Sequence, residues 1–166
     1  EGDALTHTLM VLREAARISG EAAVRVAALT HDLGKALTPR HLLPRHLGHE
    51  EAGVELVRGL CERLGLSKQL QSACCLFARE HLNVHRFSSL RDVRKVDVVT
   101  AADRCILKAE GVADAAEADA LGRTPPGGIV GSTLLRLAAK AAREAEVEPI
   151  PERLIGEERG LYVRAR

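Results

Sequence analysis

The residues with the clearest capacity for chemistry are the adjacent His31 and Asp32, which follow a strongly apolar segment, residues 22–29. Such a segment predicts a helix buried on nearly all sides, whose last turn carries an imidazole and a carboxylate into the interior. An ionised carboxylate there is strongly disfavoured unless it is paired or binds a metal. Gly34 can adopt the left-handed conformation that ends a helix, so we expect Lys35 on a loop beside the pair. An ordinary helix end followed by a solvated lysine is the alternative.

Three further histidines and one aspartate fall on the apolar stripes of other predicted helices: His7, His49, His81 and Asp103. Asp103 aligns with Val99 and Ile106 in a helix predicted over residues 90–109, so we expect its side chain to face the core. A single inward histidine is more often a hydrogen-bonded core residue than a metal ligand. Four inward histidines and two carboxylates would each need a buried partner, whereas one or two metal ions would satisfy all six.

The types of candidate ligand narrow the choice of metal. Imidazoles and carboxylates without a thiolate suit Mn, Fe, Ni, Co or Zn, and suit Mg less well. The carboxylate of Asp32 could bridge two ions, and paired ions roughly 3.5–4 Å apart clamp the attacking and leaving oxygens of phosphoryl transfer. The pattern therefore favours metal-assisted chemistry at phosphorus.

Helical periodicity recurs through the chain without strand alternation or an internal repeat, and it predicts an all-α bundle. Helices are predicted over residues 3–18, 21–33, 48–64, 90–109, 112–121 and 132–148, and a further helix is capped by Ser67 and carries His81 on its stripe, with His85 one turn on. We expect one domain, residues 3–147, followed by a charged tail, residues 148–166, that is truncated. Residues 35–47 form a long loop with two prolines and three basic side chains, and such a loop beside buried polar groups indicates function.

Composition is that of a soluble globular domain without general affinity for polyanions. The 166 residues are 46% hydrophobic and 28% charged, with a net charge of +1. Because aromatic residues make up 2% and tryptophan is absent, we expect an RNA partner to be held by phosphate contacts and not by base stacking. Four cysteines without a CxxC pair indicate a reducing compartment. We find no signal-like or long apolar segment, and we expect a cytoplasmic location without a membrane partner.

The order His7, His31-Asp32, Asp103 resembles the metal-binding pattern of the HD phosphohydrolase superfamily, whose fold is an all-α HD-domain bundle. His49 and His81 stand where two-metal members have extra histidines. Four stretches are similar to the C-terminal HD domain of bacterial multifunctional CCA-adding enzymes: HTLMVL (7–12), HDLGKALTP (31–39), RHLGHEEAGVELV (45–57) and EADALGR (117–123). The resemblance covers most of residues 5–147, and the second and third stretches are its most specific part.

This resemblance implies a metal-dependent phosphohydrolase attached to a tRNA nucleotidyltransferase. The implied substrates are 2′,3′-cyclic nucleotides, 2′-nucleotides and simple phosphate monoesters, with one or two divalent ions (Ni, Mn, Co or Mg) as cofactor. The implied partners are tRNA or nucleotide phosphate esters and a nucleotidyltransferase head domain in the same polypeptide, with a homodimer as a further option. That head domain has a Gly-Ser strand followed by a DxD pair. Gly131-Ser132 is followed by no DxD, so we expect no CCA addition by this chain alone.

The expected mechanism divides the work between one carboxylate and several cations. Asp32 is expected to orient or deprotonate the attacking water. Three cations are expected to neutralise the phosphate oxygens: Lys35, Arg45 and Arg123. Solvated surface charge is the alternative role for these cations. Three histidines are assigned to loops without a role: His41, His46 and His85.

Two other functions remain open from the sequence. The first is HD chemistry on other nucleotides, such as hydrolysis of nucleoside triphosphates or alarmones. The second is a non-catalytic module that braces tRNA or joins two subunits around a structural metal. In that case the phosphate backbone would meet a set of basic residues: Arg79, Arg86, Arg91, Arg94 and Lys95.

Overall fold

The computed structural model describes residues 3–144, which form seven α-helices and three short 3₁₀ turns and contain no strand. The helices are α1 (Ala4–Ile18), α2 (Ala22–Thr30), α3 (His49–Arg63), α4 (Lys68–His85), α5 (Asp92–Arg104), α6 (Lys108–Leu121) and α7 (Val130–Glu144). The turns are Leu33–Leu37, Arg40–Leu42 and Phe87–Ser89. The predicted all-α bundle is confirmed. The predicted tail, residues 148–166, and the last residues of the predicted domain, 145–147, lie outside the described residues.

Helix α6 is the central element of the bundle, since it contacts α1, α2, α4, α5 and α7. Its buried side chains are mostly small, which lets the neighbouring helices approach closely: Ala109, Ala113, Ala116 and Ala120. The largest buried apolar side chain, Phe77 of α4, has its ring centroid 5.9 Å from that of His31. The apolar core therefore continues up to the His31-Asp32 pair. None of the helices within residues 3–144 combines the length and apolar character needed to cross a lipid bilayer.

The turn after α2 depends on close backbone contact with α3. A Cβ atom on Gly34 would clash with the carbonyl oxygen of His49 and lie 2.7 Å from the amide nitrogen of Gly53. Gly34 is not in the left-handed conformation that the sequence suggested. Gly34 matters because it has no side chain, which lets α3 begin directly against the turn that holds Asp32. The expectation that α2 is buried on nearly all sides is also corrected, since Leu29 is 40% exposed.

The helix predicted over residues 90–109 is two helices, α5 and α6, separated at the extended residue Cys105. Asp103 lies in the last turn of α5, and its Oδ1 accepts a hydrogen bond from the amide of Ala109 at 3.1 Å. This bond satisfies a backbone donor in the first turn of α6, which has no partner within its own helix. No glycine or proline marks the break in the sequence, so periodicity alone does not reveal it.

Glycines also allow close backbone contact at the end of α6 and near the start of α7. A Cβ atom on Gly122, directly after α6, would lie 2.8 Å from the amide nitrogen of Val11 in α1. A Cβ atom on Gly131 of α7 would clash with the carbonyl oxygen of Val84 near the end of α4. The end of α6 therefore packs directly on the backbone of α1, and α7 packs directly on the backbone of α4.

Candidate metal centre

Six side chains from five segments converge in the interior, and we call them the inner cluster: His7, His31, Asp32, His49, His81 and Asp119. Asp32 lies at the centre of this cluster. Its Oδ2 is 3.2 Å from Nε2 of His31 and 3.5 Å from Nε2 of His7. Its Oδ1 is 3.1 Å from Nε2 of His49 and 3.8 Å from Nε2 of His81. One carboxylate therefore faces four imidazoles.

The second carboxylate of the inner cluster is Asp119 of α6, whose side chain is 1% exposed. Its Oδ1 is 3.1 Å from Nε2 of His7 and 3.7 Å from Nε2 of His31. The apolar stripe of the predicted helix 90–109 favoured Asp103 for this place, and the structure corrects that prediction. The side chain of Asp103 is 29% exposed and pairs with Arg143 at 2.9 Å. Among the described residues no contact joins Asp103 to the inner cluster, because the break after α5 turns it towards α7.

A sequence signal for Asp119 is present. The residue lies seven positions after Val112 and three after Ala116, on the buried stripe of an alanine-rich helix. It also lies within residues 117–123, one of the four stretches on which the family resemblance rests.

Three histidines of the cluster are oriented by backbone carbonyl oxygens, which can only accept a hydrogen bond. Each Nδ1 therefore donates to the residue three positions earlier: His31 to Ala28 (2.7 Å), His49 to His46 (2.6 Å) and His81 to Ala78 (2.8 Å). In a neutral ring, the proton on Nδ1 leaves Nε2 unprotonated, and the lone pair of Nε2 is directed towards Asp32. The Nε2 atoms of His49 and His81 are 3.3 Å apart. Two neutral rings would present facing lone pairs there, so a proton or a metal must lie between them.

Several buried atoms of the cluster have no well-aligned hydrogen-bond partner within residues 3–144: Nδ1 of His7, Nε2 of His31, and both carboxylate oxygens of Asp32. The close approaches of Asp32 described above bring charges together without that alignment, and so does its ion pair with Lys35. A buried polar group left unsatisfied costs about 1–3 kcal/mol, and a charged one costs more. A divalent metal inside the cluster would satisfy Nε2 of His31 and the oxygens of Asp32 together, so the residues present fit such an ion.

Two overlapping sets of ligand atoms meet the distance requirement for a metal, with all atoms of a set within 4.8 Å of one another. The first set is His7, His31 and Asp119, and the second is His31, Asp32 and His81. Both consist of imidazoles and carboxylates, which suit Mn, Fe, Ni, Co or Zn. The cluster therefore offers positions for one or two ions.

The electrostatics of the cluster favour ionised carboxylates. Burial opposes charge on Asp32 and Asp119, but the close contacts with the surrounding histidines outweigh it and hold both pKa values well below their usual range. Burial also opposes charge on His31, yet its contacts with Asp119 and Asp32 raise the pKa of His31 to about 10. Burial and the charge on His31 lower the pKa of His81 to about 3. The protein alone thus balances two buried anions with protons, which a metal would replace.

The cations expected to meet a phosphate are placed differently. Nζ of Lys35 is 2.5 Å from Oδ2 of Asp32, and the Lys35 side chain is 16% exposed. Nη2 of Arg123 is 3.3 Å from Oδ2 of Asp119. Arg45 is exposed on the loop between α2 and α3. The structure therefore brings Lys35 and Arg123 to the inner cluster and leaves Arg45 on the surface.

Two of the histidines assigned to loops make specific contacts. His85 is the last residue of α4, and its Nε2 is 2.5 Å from Oδ2 of Asp119, which corrects the loop assignment. His46 remains in the loop, where its Nδ1 is 2.8 Å from the hydroxyl oxygen of Thr38. His41 is exposed.

Comparison with known protein families matches residues 4–119 to the HD domain. The chain belongs to the HD domain family. In this HD domain the matched region starts three residues before His7 and ends at Asp119, so it includes the whole inner cluster.

Curated relatives of this HD domain are longer proteins. The "Multifunctional CCA protein" of Burkholderia pseudomallei (strain 1106a) is 40% identical over 163 residues, which cover 95% of this chain and 39% of that protein. A protein of the same name from Paraburkholderia phymatum is 43% identical over 125 residues, or 74% of this chain and 30% of that protein. The chain thus spans about two fifths of the length of the first relative. No solved structure gives a significant match.

Proposed function

We propose that this HD domain is a metal-dependent phosphohydrolase that acts on 2′,3′-cyclic nucleotides, 2′-nucleotides and simple phosphate monoesters. The observation that supports it most is the inner cluster, in which two buried carboxylates and four imidazoles meet with several atoms unsatisfied. A purely structural core would not gather six titratable side chains and leave several of their buried atoms without an aligned partner among the described residues. Membership of the HD domain family supports the same conclusion.

The residues that would hold the metal are those of the inner cluster. One position would be formed by His7, His31 and Asp119, with Asp32 shared between it and a second position at His49 and His81. A bound divalent ion, Ni, Mn, Co or Mg, would supply Lewis acidity and lower the pKa of a coordinated water towards neutrality.

The chain's own residues have separate roles in this proposal. Asp32 would orient the attacking water and accept its proton, because its ionised carboxylate lies at the centre of the cluster with unsatisfied oxygens. Lys35 lies at the accessible edge, so its ammonium could leave Asp32 and neutralise a phosphate oxygen as charge spreads over it. Arg123 would provide a second, guanidinium contact to the phosphate.

The link to tRNA is also part of the proposal, and it rests on the name that the relatives bear, "Multifunctional CCA protein". We propose that this HD domain serves tRNA 3′-end maturation or repair alongside a nucleotidyltransferase domain of the same polypeptide. Gly131-Ser132, the one Gly-Ser pair considered above, lies in helix α7 and not in a strand. CCA addition would therefore belong to that other domain.

The contacts of the basic residues weaken the non-catalytic alternative. Three of the five candidate phosphate contacts are paired with acidic side chains: Arg79 with Glu51 (3.3 Å), Arg94 with Glu80 (2.6 Å) and Lys95 with Asp92 (3.3 Å). A surface neutralised in this way offers less attraction to a phosphate backbone.

The test is hydrolysis of 2′,3′-cyclic AMP by the metal-loaded chain, before and after chelation, with Asp32→Ala as the inactive control. We expect metal-dependent opening of the cyclic phosphate, lost with chelator and in Asp32→Ala. Release of pyrophosphate from nucleoside triphosphates, with no action on the cyclic ester, would indicate the other HD chemistry. Salt-sensitive tRNA binding that is unaffected by chelator, without any hydrolysis, would indicate the non-catalytic module.

A further inference from the structure

His85 contacts Asp119 of the inner cluster, but the proposed mechanism gives His85 no role. Its side chain is 18% exposed and its Nε2 is 2.5 Å from Oδ2 of Asp119. Nη2 of Arg123 lies 3.3 Å from the same oxygen and 3.4 Å from Oδ1. Oδ1 also faces His7 at 3.1 Å and His31 at 3.7 Å. His85 therefore contacts Oδ2, whereas the two histidines of the inner cluster face Oδ1 and Arg123 lies near both oxygens.

The elements that meet here are fixed independently of the His85–Asp119 contact. Helix α7 lies directly on the end of α4, since a Cβ atom on Gly131 would be 2.8 Å from the carbonyl oxygen of His85. The end of α6 lies directly on α1 through Gly122 and Val11. Helices α4 and α6 also contact each other, and α7 contacts both. The packing of these helices therefore sets the distance between His85 and Asp119.

We propose that His85 is a positioning residue: by donating a hydrogen bond to Oδ2 of Asp119, it makes Oδ1 the oxygen that faces His7 and His31. A carboxylate can rotate broadly about its terminal torsion, so an unheld Asp119 could turn both oxygens towards the cluster. Hydrogen bonds to an ionised acceptor are short and strong, and they hold such an orientation. This role rests on the proposed function of Asp119 as a metal ligand.

The contact also explains why Asp119 needs two donors besides the cluster. With a side chain 1% exposed, its Oδ2 has no access to bulk water, and an unpaired carboxylate oxygen there would be costly. His85 is the nearer of its two donors, at 2.5 Å against 3.3 Å for Arg123. Removal of His85 therefore leaves Arg123 as a longer and less constraining partner.

The test compares His85→Leu, which fills similar space without a donor, with His85→Gln, whose amide can still donate to Asp119. His41→Ala on the exposed loop is the control. Each variant of the full chain is titrated with Co²⁺ against a competing chelator, and the visible cobalt spectrum is recorded together with circular dichroism. Loss of an outer partner of a ligand weakens metal binding about 10–100-fold, so we expect that loss and an altered spectrum in His85→Leu. His85→Gln should stay closer to the unmodified chain.

The outcomes separate this role from the proposed function. If the unmodified chain binds no Co²⁺, the proposed metal centre itself is wrong. If the unmodified chain binds Co²⁺, equal affinities and equal spectra for His85→Leu and His85→Gln would overturn the positioning role, whether both are unchanged or both are weakened.

Discussion

Asp119→Asn should remove tight metal binding, whereas Asp103→Asn should leave it intact, although both aspartates lie on neighbouring helices of the same bundle. The prediction follows from their surroundings. Asp119 faces His7 and His31 with a side chain that is 1% exposed. Asp103 is 29% exposed and pairs with Arg143. Asparagine preserves the shape of each side chain and removes only its charge and one acceptor oxygen.

The expected magnitudes differ widely. Asp119 is approached by His85 at 2.5 Å, His7 at 3.1 Å and Arg123 at 3.3 Å. Since hydrogen bonds to charged groups contribute about 1.5–3 kcal/mol each and asparagine keeps one acceptor, we expect a loss of about 3 kcal/mol in unfolding free energy. That corresponds to a fall of about 6–12 °C in Tm for a chain of this size. Metal affinity should fall at least about 100-fold, since even an outer partner is worth about 10–100-fold.

Asp103→Asn should have small effects on both quantities. Its ion pair with Arg143 is solvent-exposed, and such pairs contribute about 0.2–1 kcal/mol. Asparagine caps a helix about as well as aspartate, so the contact with the amide of Ala109 is retained. Because no residue between 3 and 144 contacts both Asp103 and the inner cluster through a hydrogen bond or ion pair, the effect of this substitution on metal affinity should stay within about twofold.

The assay is isothermal titration with Mn²⁺ or Ni²⁺, combined with thermal unfolding of each metal-free variant. If Asp119→Asn binds metal as tightly as the unmodified chain, or if Asp103→Asn weakens binding as strongly as Asp119→Asn does, the assignment of Asp119 to the centre is refuted.

Three further changes test other parts of the account. Adding the bound metal at 100 times its Kd should stabilise the fold by about 2.7 kcal/mol, seen as a rise in Tm that chelator reverses; an unchanged Tm would argue against binding to the folded state. Gly34→Ala should weaken metal binding more than Gly20→Ala, because a Cβ on Gly34 clashes with α3 whereas one on Gly20 meets nothing within 4 Å; equal affinities would contradict this. Lys35→Met should raise KM for a phosphate ester without weakening metal affinity, since the ammonium 2.5 Å from Asp32 competes with a metal cation. A fall in metal affinity would contradict this competition.

Much of the arrangement follows from local sequence patterns. The stripes of apolar residues are properties of single helices, and they place His7, His49 and His81 on inward faces, where the structure finds them. The same pattern predicts a buried His31-Asp32 pair, because the pair directly follows a helix whose inner face includes Val24, Ala27 and Ala28.

The errors arise where the structure depends on contacts between distant segments. The break after α5 is stabilised by Asp103 and by Arg143, forty residues away, and no local breaker residue announces it. The role of Gly34 depends on Gly53 of α3, and that of His85 depends on Asp119, 34 residues later. Periodicity describes a residue's face within one helix, and it contains no information about the partner that this face meets.

The most direct test of the central claim is a crystal structure of the chain with Mn²⁺ or Co²⁺, with anomalous diffraction used to locate the ion. We expect one or two anomalous peaks inside the inner cluster, about 2.0–2.2 Å from imidazole Nε2 and carboxylate oxygen atoms, with Asp119 and not Asp103 among the ligands. A metal-soaked crystal of the folded chain with no anomalous peak within the cluster, or with a peak beside Asp103 instead, would contradict the proposed metal centre.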